Sequence, residues 1–255
     1  MNYLVAAHTD VGLVKKVNQD SLLIQKANTD VGPVLLAVLC DGMGGLAFGE
    51  VASACMVNAF SDWFQGEFPH LLHDGLNRDA LRRSWDALVR AVSLRIMRYG
   101  NSKGMNLGTT CVALLIVENT YYLMNVGDSR IYLITDNIYQ MTKDQTFIQQ
   151  EIDAKRMTVE EAMLSPKKNA LLQCIGAGAF PVPEYAIGNA MTNQCYLLCC
   201  DGFRHVVAPN EFFKYLNPDV STNEETMESN IKYLVELNKQ RDETDNITAI
   251  LIKTC

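Results

Sequence analysis

The stretch AVLCDGMGGLAFGE, residues 37–50, joins an apolar run to a carboxylate and a cluster of glycines. The run from Ala37 to Cys40 has the composition of a buried strand, and it ends at Asp41. By itself, an Asp-Gly pair after a strand indicates a simple turn. An aspartate beside an apolar run recurs at three other places, Gly127-Asp128, Asp201-Gly202 and Asp245-Asn246. Together these positions predict a cluster of aspartates at the ends of neighbouring strands.

The length and composition of the chain limit its fold and its partners. With 255 residues, 48% of them hydrophobic, it can form one large domain or two small ones. The sequence lacks repeats, low-complexity tracts and Pro/Gly-rich linkers, so we expect a single domain over residues 1–255. The net charge of −7 argues against nucleic acid and against an anionic membrane as the main partner. A phosphorylated protein remains compatible with it, because a bound metal supplies local positive charge.

The eight cysteines bear on the compartment of the protein. None forms a Cys-x-x-Cys pair, and the four histidines show no metal-ligand spacing, so we expect buried thiols in a reducing environment. The sequence contains no stretch as long as a transmembrane helix and no signal-peptide pattern near its start. These features predict a cytoplasmic protein without a membrane partner.

Apolar runs of strand length recur along the chain, and many are apolar at nearly every position, which indicates burial on both faces. The tripeptide links 118–120 and 135–137 are too short for parallel crossovers, so the strands they join are antiparallel hairpins. Such strands require two stacked sheets with helices outside, which predicts an α+β fold, an α-β-β-α sandwich. The predicted strands are Leu35–Cys40, Cys111–Val117, Tyr121–Val126, Arg130–Ile134, Tyr196–Cys200, Ile247–Lys253 and residues 2–8 and 21–26.

Three segments have the periodicity of helices that cover a sheet. Asn77 is the expected N-cap of the second helix, and Thr222–Glu225 fits a capping box before the third. The apolar stripes of the first two helices are Val51, Cys55, Ala59 and Trp63, and Leu81, Trp85, Leu88, Val92 and Ile96.

Residues 143–178 are more polar than their surroundings and interrupt the strand pattern. Thr158–Glu161 fits another capping box, which predicts a short helix in this segment. A solvated surface excursion explains the composition, and so does a flap beside a functional site. Both interpretations stay open at this point.

Aspartates grouped without histidine or cysteine suit hard divalent cations such as Mg²⁺ or Mn²⁺. Glycines beside Asp41 leave room for main-chain carbonyls and water to approach a metal. Two ions that share one carboxylate can ionise a bridging water, which then attacks a phosphorus atom in line. Such a site needs no protein nucleophile.

The order of the motifs resembles that of the metal-dependent serine/threonine protein phosphatases, the type 2C or PPM family, in its compact bacterial form. The resemblance spans almost the whole chain and implies an α-β-β-α sandwich. The motifs that carry it are GLVKKVNQD (12–20), LCDGMGG (39–45), GTT (108–110), VGDSR (126–130), MTKDQ (141–145), PKKNALLQCIG (166–176), CCDG (199–202) and DNIT (245–248).

The resemblance implies two catalytic Mn²⁺ or Mg²⁺ ions and a third, weaker site. Asp41 would bridge the two catalytic ions, with the Gly42 carbonyl as a further ligand. Asp201 and Asp245 would complete the shell of the first ion, so that the catalytic set is Asp41, Asp201 and Asp245. Asp20 would act mainly through metal-bound waters. In addition, Asp128 would hold the third ion together with Asp201, and residues 143–178 would form a flap that tunes substrate access.

Several positions depart from the family pattern. Lys15 stands where the family has its phosphate-binding arginine, and lysine lacks the bidentate fork of arginine. Gln19 stands where many members have a metal-binding glutamate, although glutamine also occurs there in bacterial relatives. Met43, Leu46 and Gln145 stand where histidines often occur in the family. These changes bear on rate and substrate preference and leave the aspartates intact.

The sequence therefore predicts a monomeric enzyme that hydrolyses phosphoserine and phosphothreonine on proteins, with the substrates of a serine/threonine kinase as its partners. Two other hypotheses remain. A pseudophosphatase would bind phosphoproteins without turnover, and a metal-stabilised β-sandwich would act as an interaction module whose aspartates are turn residues.

Overall fold

A computed structural model of the protein describes residues 1–43 and 48–255, apart from the side chain of residue 163. Gly44, Gly45 and Leu46 of the opening motif lie outside the described residues. The strands are β1 (Tyr3–Asp10), β2 (Asp20–Thr29), β3 (Gly32–Met43), β4 (Gly108–Thr109), β5 (Cys111–Val117), β6 (Thr120–Val126), β7 (Arg130–Ile134), β8 (Ile138–Gln140), β9 (Glu184–Asn189), β10 (Cys195–Cys199) and β11 (Ile247–Thr254).

The helices cover the outside of the sheets and connect their strands. They are α1 (Gly49–Gly66), α2 (Phe68–His73), α3 (Arg78–Lys103), α4 (Phe147–Asp153), α5 (Val159–Leu164), α6 (Asp201–Arg204), α7 (Pro209–Leu216) and α8 (Glu224–Gln240). None of the helices in residues 1–43 and 48–255 combines the length and apolar composition that a membrane crossing requires.

Two antiparallel sheets form the centre of the fold. The first has the strand order β1-β11-β10-β7-β8, and the second has the order β2-β3-β5-β6-β9, with β4 paired to the end of β3. Helices α1 and α3 pack on the second sheet, and α8 packs on β1 and β11 of the first. The predicted α-β-β-α sandwich is confirmed.

Strand β3 shows why so many strands are apolar at every position. Leu35, Ala37 and Leu39 face the core between the two sheets. The alternate residues, such as Leu36 and Val38, face the core beneath α1 and α3. Because side chains alternate across a strand, a sheet covered on both sides needs apolar residues at consecutive positions.

All of the predicted strands are present, and most extend one to three residues beyond the apolar run. The short strands β4, β8 and β9 lie outside the predicted ranges, although the predicted hairpin link 135–137 implies a strand at the position of β8. Strand β9, EYAIGN, is an edge strand with exposed polar residues, so its sequence carries little of the apolar signal. Residues 68–73 form the short helix α2. Pro69 lies in its first turn, where the missing N–H carries no cost.

The helix predictions need two small corrections. The buried face of α1 is centred on Ala52, Met56 and Phe60, so the predicted stripe through Cys55 and Ala59 lies at its margin. The N-cap of α8 is Asn223, whose side chain accepts from the N–H of Thr226, and not Thr222. Both residue types are good caps, and the structure uses Asn223.

The segment 143–178 leaves the first sheet after β8 and contains α4 and α5, with the predicted capping box at Thr158 and Glu161. At its start, Gln145 donates its N–H to the carbonyl of Gly127. At its end, Ile175 exchanges main-chain hydrogen bonds with Thr109. Both anchors lie beside the strand ends that carry Asp41 and Asp128. The assignment of this segment as a flap, and of the chain as one domain, stays a prediction.

The core between the sheets provides a test of this arrangement. Leu114 is fully buried there, whereas Leu164 of α5 is 87% exposed. We expect Leu114→Ala to lower the free energy of unfolding by about 2–5 kcal/mol, because it leaves a cavity between the sheets. As the matched control, Leu164→Ala is expected to change it by less than about 0.5 kcal/mol. Urea titrations in EDTA measure both values, and equal effects would contradict the placement of β5.

Candidate metal centre

The hairpin of β2 and β3 brings the first two aspartates together. Asp20 begins β2 and pairs in register with Asp41 near the end of β3. The main chain of Asp41 is held by the GTT motif: its N–H donates to the hydroxyl of Thr110 at 3.0 Å, and its carbonyl accepts from the N–H of Thr110 and the hydroxyl of Thr109. The Thr110 hydroxyl is in turn 2.8 Å from that of Ser129. This network fixes the Asp41 carboxylate at the edge of the second sheet.

Three further aspartates reach the same edge from other elements. Asp201 begins α6 directly after β10, and Asp245 lies two residues before β11. Asp128 lies in the link from β6 to β7, where the chain passes from the second sheet to the first. The two sheets therefore present their aspartates to one another at the same end of the sandwich.

The electrostatics of Asp41 show how close the five carboxyl groups are. Burial raises its pKa well above the usual value, and the charges of the other four aspartates, Asp20, Asp201, Asp128 and Asp245, raise it further. Burial likewise raises the pKa of Asp128 to about 7, with a smaller contribution from the charge of Asp201. All five predicted aspartate positions are thus brought together. Their assignment as metal ligands stays a prediction.

Unpartnered oxygens indicate what this cluster is built to hold. Within the described part of the chain, no hydrogen-bond donor is positioned on either carboxylate oxygen of Asp20 or on Oδ1 of Asp201, although these atoms are buried. Burial raises the pKa of Asp20 from 3.8 to about 7, and nearby Thr248 and Cys200 lower it only in part. Buried carboxylates without partners are costly unless a cation compensates them. The donor set of carboxylate oxygens fits hard divalent cations.

The thiol of Cys200 lies at the rim of this cluster. Oxygens of Asp20 and Asp41 and the sulphur of Cys200 all lie within 4.8 Å of one another. The sulphur is already engaged, because it accepts from the N–H of Thr248 at 3.1 Å and is 3.4 Å from the carbonyl of Asn246. The oxygens of the two aspartates are therefore the donors left for an ion.

Gly42 allows the main chain to approach the centre closely. A Cβ atom at this position would lie 2.2 Å from the carbonyl oxygen of Gly49 and 2.5 Å from that of Gln19. The Gly42 N–H donates to the Gln19 carbonyl at 3.1 Å. Any side chain here would push α1 away from the hairpin, so the glycine is a steric requirement. The role of its carbonyl as a ligand stays a prediction.

Lys15 contacts the cluster through its terminal ammonium group, which lies 2.9 Å from Oδ1 of Asp245. Burial lowers the pKa of Lys15, but the hydrogen bond with Asp245 and the charges of Asp41 and Asp201 raise it above its usual value. The lysine therefore stays cationic beside the carboxylates. Its side chain is 40% exposed, so an anion arriving from solvent can reach it.

Asn246 is a positioning residue whose role is not apparent from the sequence. Its side-chain oxygen accepts from the N–H of Gln19 at 2.9 Å, and its side-chain nitrogen donates to the carbonyls of Val11 and Val17. These bonds hold the loop that carries Lys15 and leads to Asp20. Asn246 belongs to the DNIT motif, but its role cannot be seen there, because its contacts join residues more than two hundred positions apart in the sequence.

Two further groups behind the cluster are not apparent from the sequence. The Nε2 atom of His205 lies 3.3 Å from Oδ2 of Asp201, and its Nδ1 atom lies 3.1 Å from Oε2 of Glu243. Burial lowers the pKa of His205, but these two carboxylates raise it to about 10, so the ring is cationic at neutral pH. The pKa of Asp201 falls to about 2, because the contacts with His205 outweigh its burial.

The positions that depart from the family pattern have different surroundings. The Gln145 side chain accepts from the N–H of Gly127 at 2.9 Å and so holds the link that carries Asp128. The Gln19 side chain donates to Glu50 of α1 at 3.5 Å. Met43 is 39% exposed at the end of β3. Leu46 lies outside the described residues.

The raised pKa of Asp20 predicts how the metal-free protein responds to pH. A carboxyl group with a raised pKa in the folded state stabilises the fold below its unfolded pKa, and that stabilisation is lost as the pH rises. For Asp20 the loss falls between its usual 3.8 and about 7. In EDTA, we expect wild type to lose up to about 4 kcal/mol of unfolding free energy relative to Asp20→Asn across this range.

Urea unfolding at several pH values measures this difference. The exposed Asp62 of α1 provides the matched control, and Asp62→Asn should track the wild type at every pH. Asp201 and His205 titrate mainly outside this window, since their pKa values are about 2 and about 10. A difference between wild type and Asp20→Asn that does not vary with pH would contradict the burial of an unpartnered carboxyl group.

Comparisons with known proteins identify the family of this chain. The family model described as protein phosphatase 2C matches residues 8–240. The chain is 34% identical to the serine/threonine protein phosphatase PstP of Mycobacterium tuberculosis over 96% of its own length, but it spans 44% of that relative. It is 30% identical to the serine/threonine phosphatase stp of Listeria welshimeri, where the alignment covers 96% of this chain and 93% of the relative.

Solved structures show the same similarity. The serine/threonine phosphatase of S. agalactiae is 26% identical, superimposes with a TM-score of 0.85 and is covered over 100% of both chains. The catalytic domain of PstP in complex with two manganese ions is 31% identical, with a TM-score of 0.77 over 99% of both chains. The predicted resemblance is confirmed: the chain belongs to the protein phosphatase 2C family.

Proposed function

We propose that this chain hydrolyses phosphoserine and phosphothreonine on proteins, with Mn²⁺ or Mg²⁺ as its cofactor. The observation that carries the proposal is the group of buried aspartates whose oxygens lack partners within the described residues. Family membership supports it, as do the named serine/threonine phosphatases among the relatives. When bound, a pair of divalent ions would supply Lewis acidity and a water of lowered pKa as nucleophile.

The roles of the chain's own residues follow from their positions. Asp41 pairs in register with Asp20 and is close enough to Asp201 for the charge of that carboxylate to raise its pKa, so the Asp41 carboxylate would be the one shared by two ions. Asp201 and Asp245 would hold the ion on the side of the first sheet. Behind Asp201, the imidazolium of His205 orients the carboxylate and keeps it ionised.

Lys15 would receive the phosphate group of the substrate. Its ammonium group lies at the exposed side of the cluster and pairs with Asp245. An ammonium group attracts phosphate as a point charge and lacks the bidentate geometry of arginine. Lys15 would therefore contribute to binding of the phosphate more than to its orientation during the reaction.

The partners and the compartment of the protein are part of the same proposal. Phosphoproteins produced by a serine/threonine kinase are the expected substrates, and the chain is expected to act as a monomer. All eight cysteines have free thiols, which is the usual state in a reducing cytoplasm. A pseudophosphatase or a pure interaction module is less favoured, because none of the aspartates expected to bind metal is missing.

Hydrolysis of a phosphothreonine peptide tests the function directly. We expect phosphate release with Mn²⁺ or Mg²⁺, none in EDTA, and a fall in kcat of at least about a hundredfold in Asp201→Asn, because several kcal/mol of transition-state stabilisation depend on the metal ligands. Folding of the variant is checked by circular dichroism. A folded, metal-loaded wild type that releases no phosphate would contradict the proposal and favour a phosphoprotein-binding role.

The role of Lys15 has its own kinetic signature. We expect Lys15→Ala to raise KM about tenfold with kcat changed less than about threefold, as for the loss of one charged contact made equally in ground and transition states. Lys16→Ala is the matched control, because Lys16 is the exposed neighbour and lies in no ion pair of the described residues. A fall in kcat at unchanged KM would instead assign Lys15 to the chemical step.

A further inference from the structure

Asp128, the carboxylate that family resemblance assigns to a third metal ion, already has a cation beside it. The Nη2 atom of Arg204 donates to the main-chain carbonyl of Asp128 at 2.8 Å. The same atom lies 3.6 Å from Oδ2 of the Asp128 carboxylate. The two side chains are 13% and 11% exposed, so water screens this contact poorly.

A second ion pair holds Arg204 from the opposite side. Its Nη2 atom lies 3.5 Å from Oδ2 of Asp144. The two oxygens of the Asp144 carboxylate each accept one hydrogen bond of 2.7 Å from the guanidinium group of Arg130. Arg130 also donates to the hydroxyl of Tyr132 at 2.9 Å. The carboxylates of Asp128 and Asp144 and the guanidinium groups of Arg130 and Arg204 thus form an ion-pair cluster with no net charge.

The neighbouring residue of Arg204 engages the other aspartate of the implied third site. His205 is the next residue in the chain, and it contacts Asp201 at 3.3 Å. Arg204 and His205, at the end of α6, therefore contact Asp128 and Asp201 respectively. A divalent cation between these two aspartates would meet the guanidinium group of Arg204 at short range, and like charges at short range repel strongly in a buried site.

We infer that Arg204 takes the place of the third metal ion in this protein. The guanidinium group neutralises Asp128, and through Asp144 it ties that aspartate to the base of the segment 143–178. The surroundings of Asp128 do not fit a third divalent ion, whereas the unpartnered oxygens of Asp20 and Asp201 fit the two-ion centre. The inference depends on the proposed function only in assuming the two-ion centre.

Binding of Mn²⁺ alone tests the inference without any assay of activity. Wild type and Asp128→Asn are stripped of metal and brought to equilibrium dialysis with Mn²⁺ up to millimolar concentrations, and bound metal is measured by atomic absorption. We expect two ions per chain in both proteins. A third ion in wild type that is lost in Asp128→Asn would overturn the inference. Wild type that binds no Mn²⁺ would instead contradict the two-ion centre itself.

Removal of the guanidinium group tests its role directly. We expect Arg204→Met to bind a third Mn²⁺ ion, and the double variant Arg204→Met/Asp128→Asn to return to two. Arg241→Met, which breaks the exposed ion pair with Glu211, is the matched control and should keep two ions. A folded Arg204→Met protein that still binds two ions would overturn the inference. If this variant does not fold, the comparison of wild type with Asp128→Asn decides alone.

Discussion

The main constraint on this fold is the repulsion among the carboxylates that it gathers at one edge of the sandwich. Asp20, Asp41, Asp128, Asp201 and Asp245 come from different strands and links. The pKa of Asp41 is raised first by burial, which removes the hydration of the charged form, and further by the charges of the other four carboxylates. A chain folds in this way only where other groups hold the backbone against that repulsion. The GTT motif, Gly42 and the side chain of Asn246 do so with hydrogen bonds and close main-chain contacts.

Much of the fold can be predicted because its signals are local. A strand such as β3, covered on both faces, must be apolar at consecutive positions, and the short links after β5 and β7 permit hairpins alone. Four of the aspartates, Asp41, Asp128, Asp201 and Asp245, are equally visible, because each lies beside an apolar run where a strand begins or ends. Asp20 is identified through the family resemblance alone. Strand β9 escapes prediction, since its place is set by pairing with β6 and by the hydrogen bond of Tyr185 with Asp86 of α3.

The residues behind the centre cannot be predicted in the same way. Arg204 and Asp128 are 76 positions apart, and His205 and Glu243 are 38 apart, so neither contact leaves a pattern in the sequence. A family resemblance supplies roles for residues at matching motif positions, but it gives no role to a side chain that lies outside those motifs. Phe203 separates Arg204 and His205 from the CCDG motif, and their contacts become visible only when the two sheets are assembled around them.

The balance of charge explains why internal cations matter for the number of ions. Five aspartates form the cluster, and Asp144 and Glu243 extend it; the cationic side chains in contact with these groups are Lys15, Arg130, Arg204 and His205. Fully ionised, this set has three excess negative charges. Two divalent ions would reverse the sign to one positive charge, which would favour the binding of a phosphate anion. A third ion would raise the excess to three positive charges beside Arg204, with no carboxylate left to compensate it. The internal cations therefore set both the capacity of the centre for metal and the charge that an incoming phosphate meets.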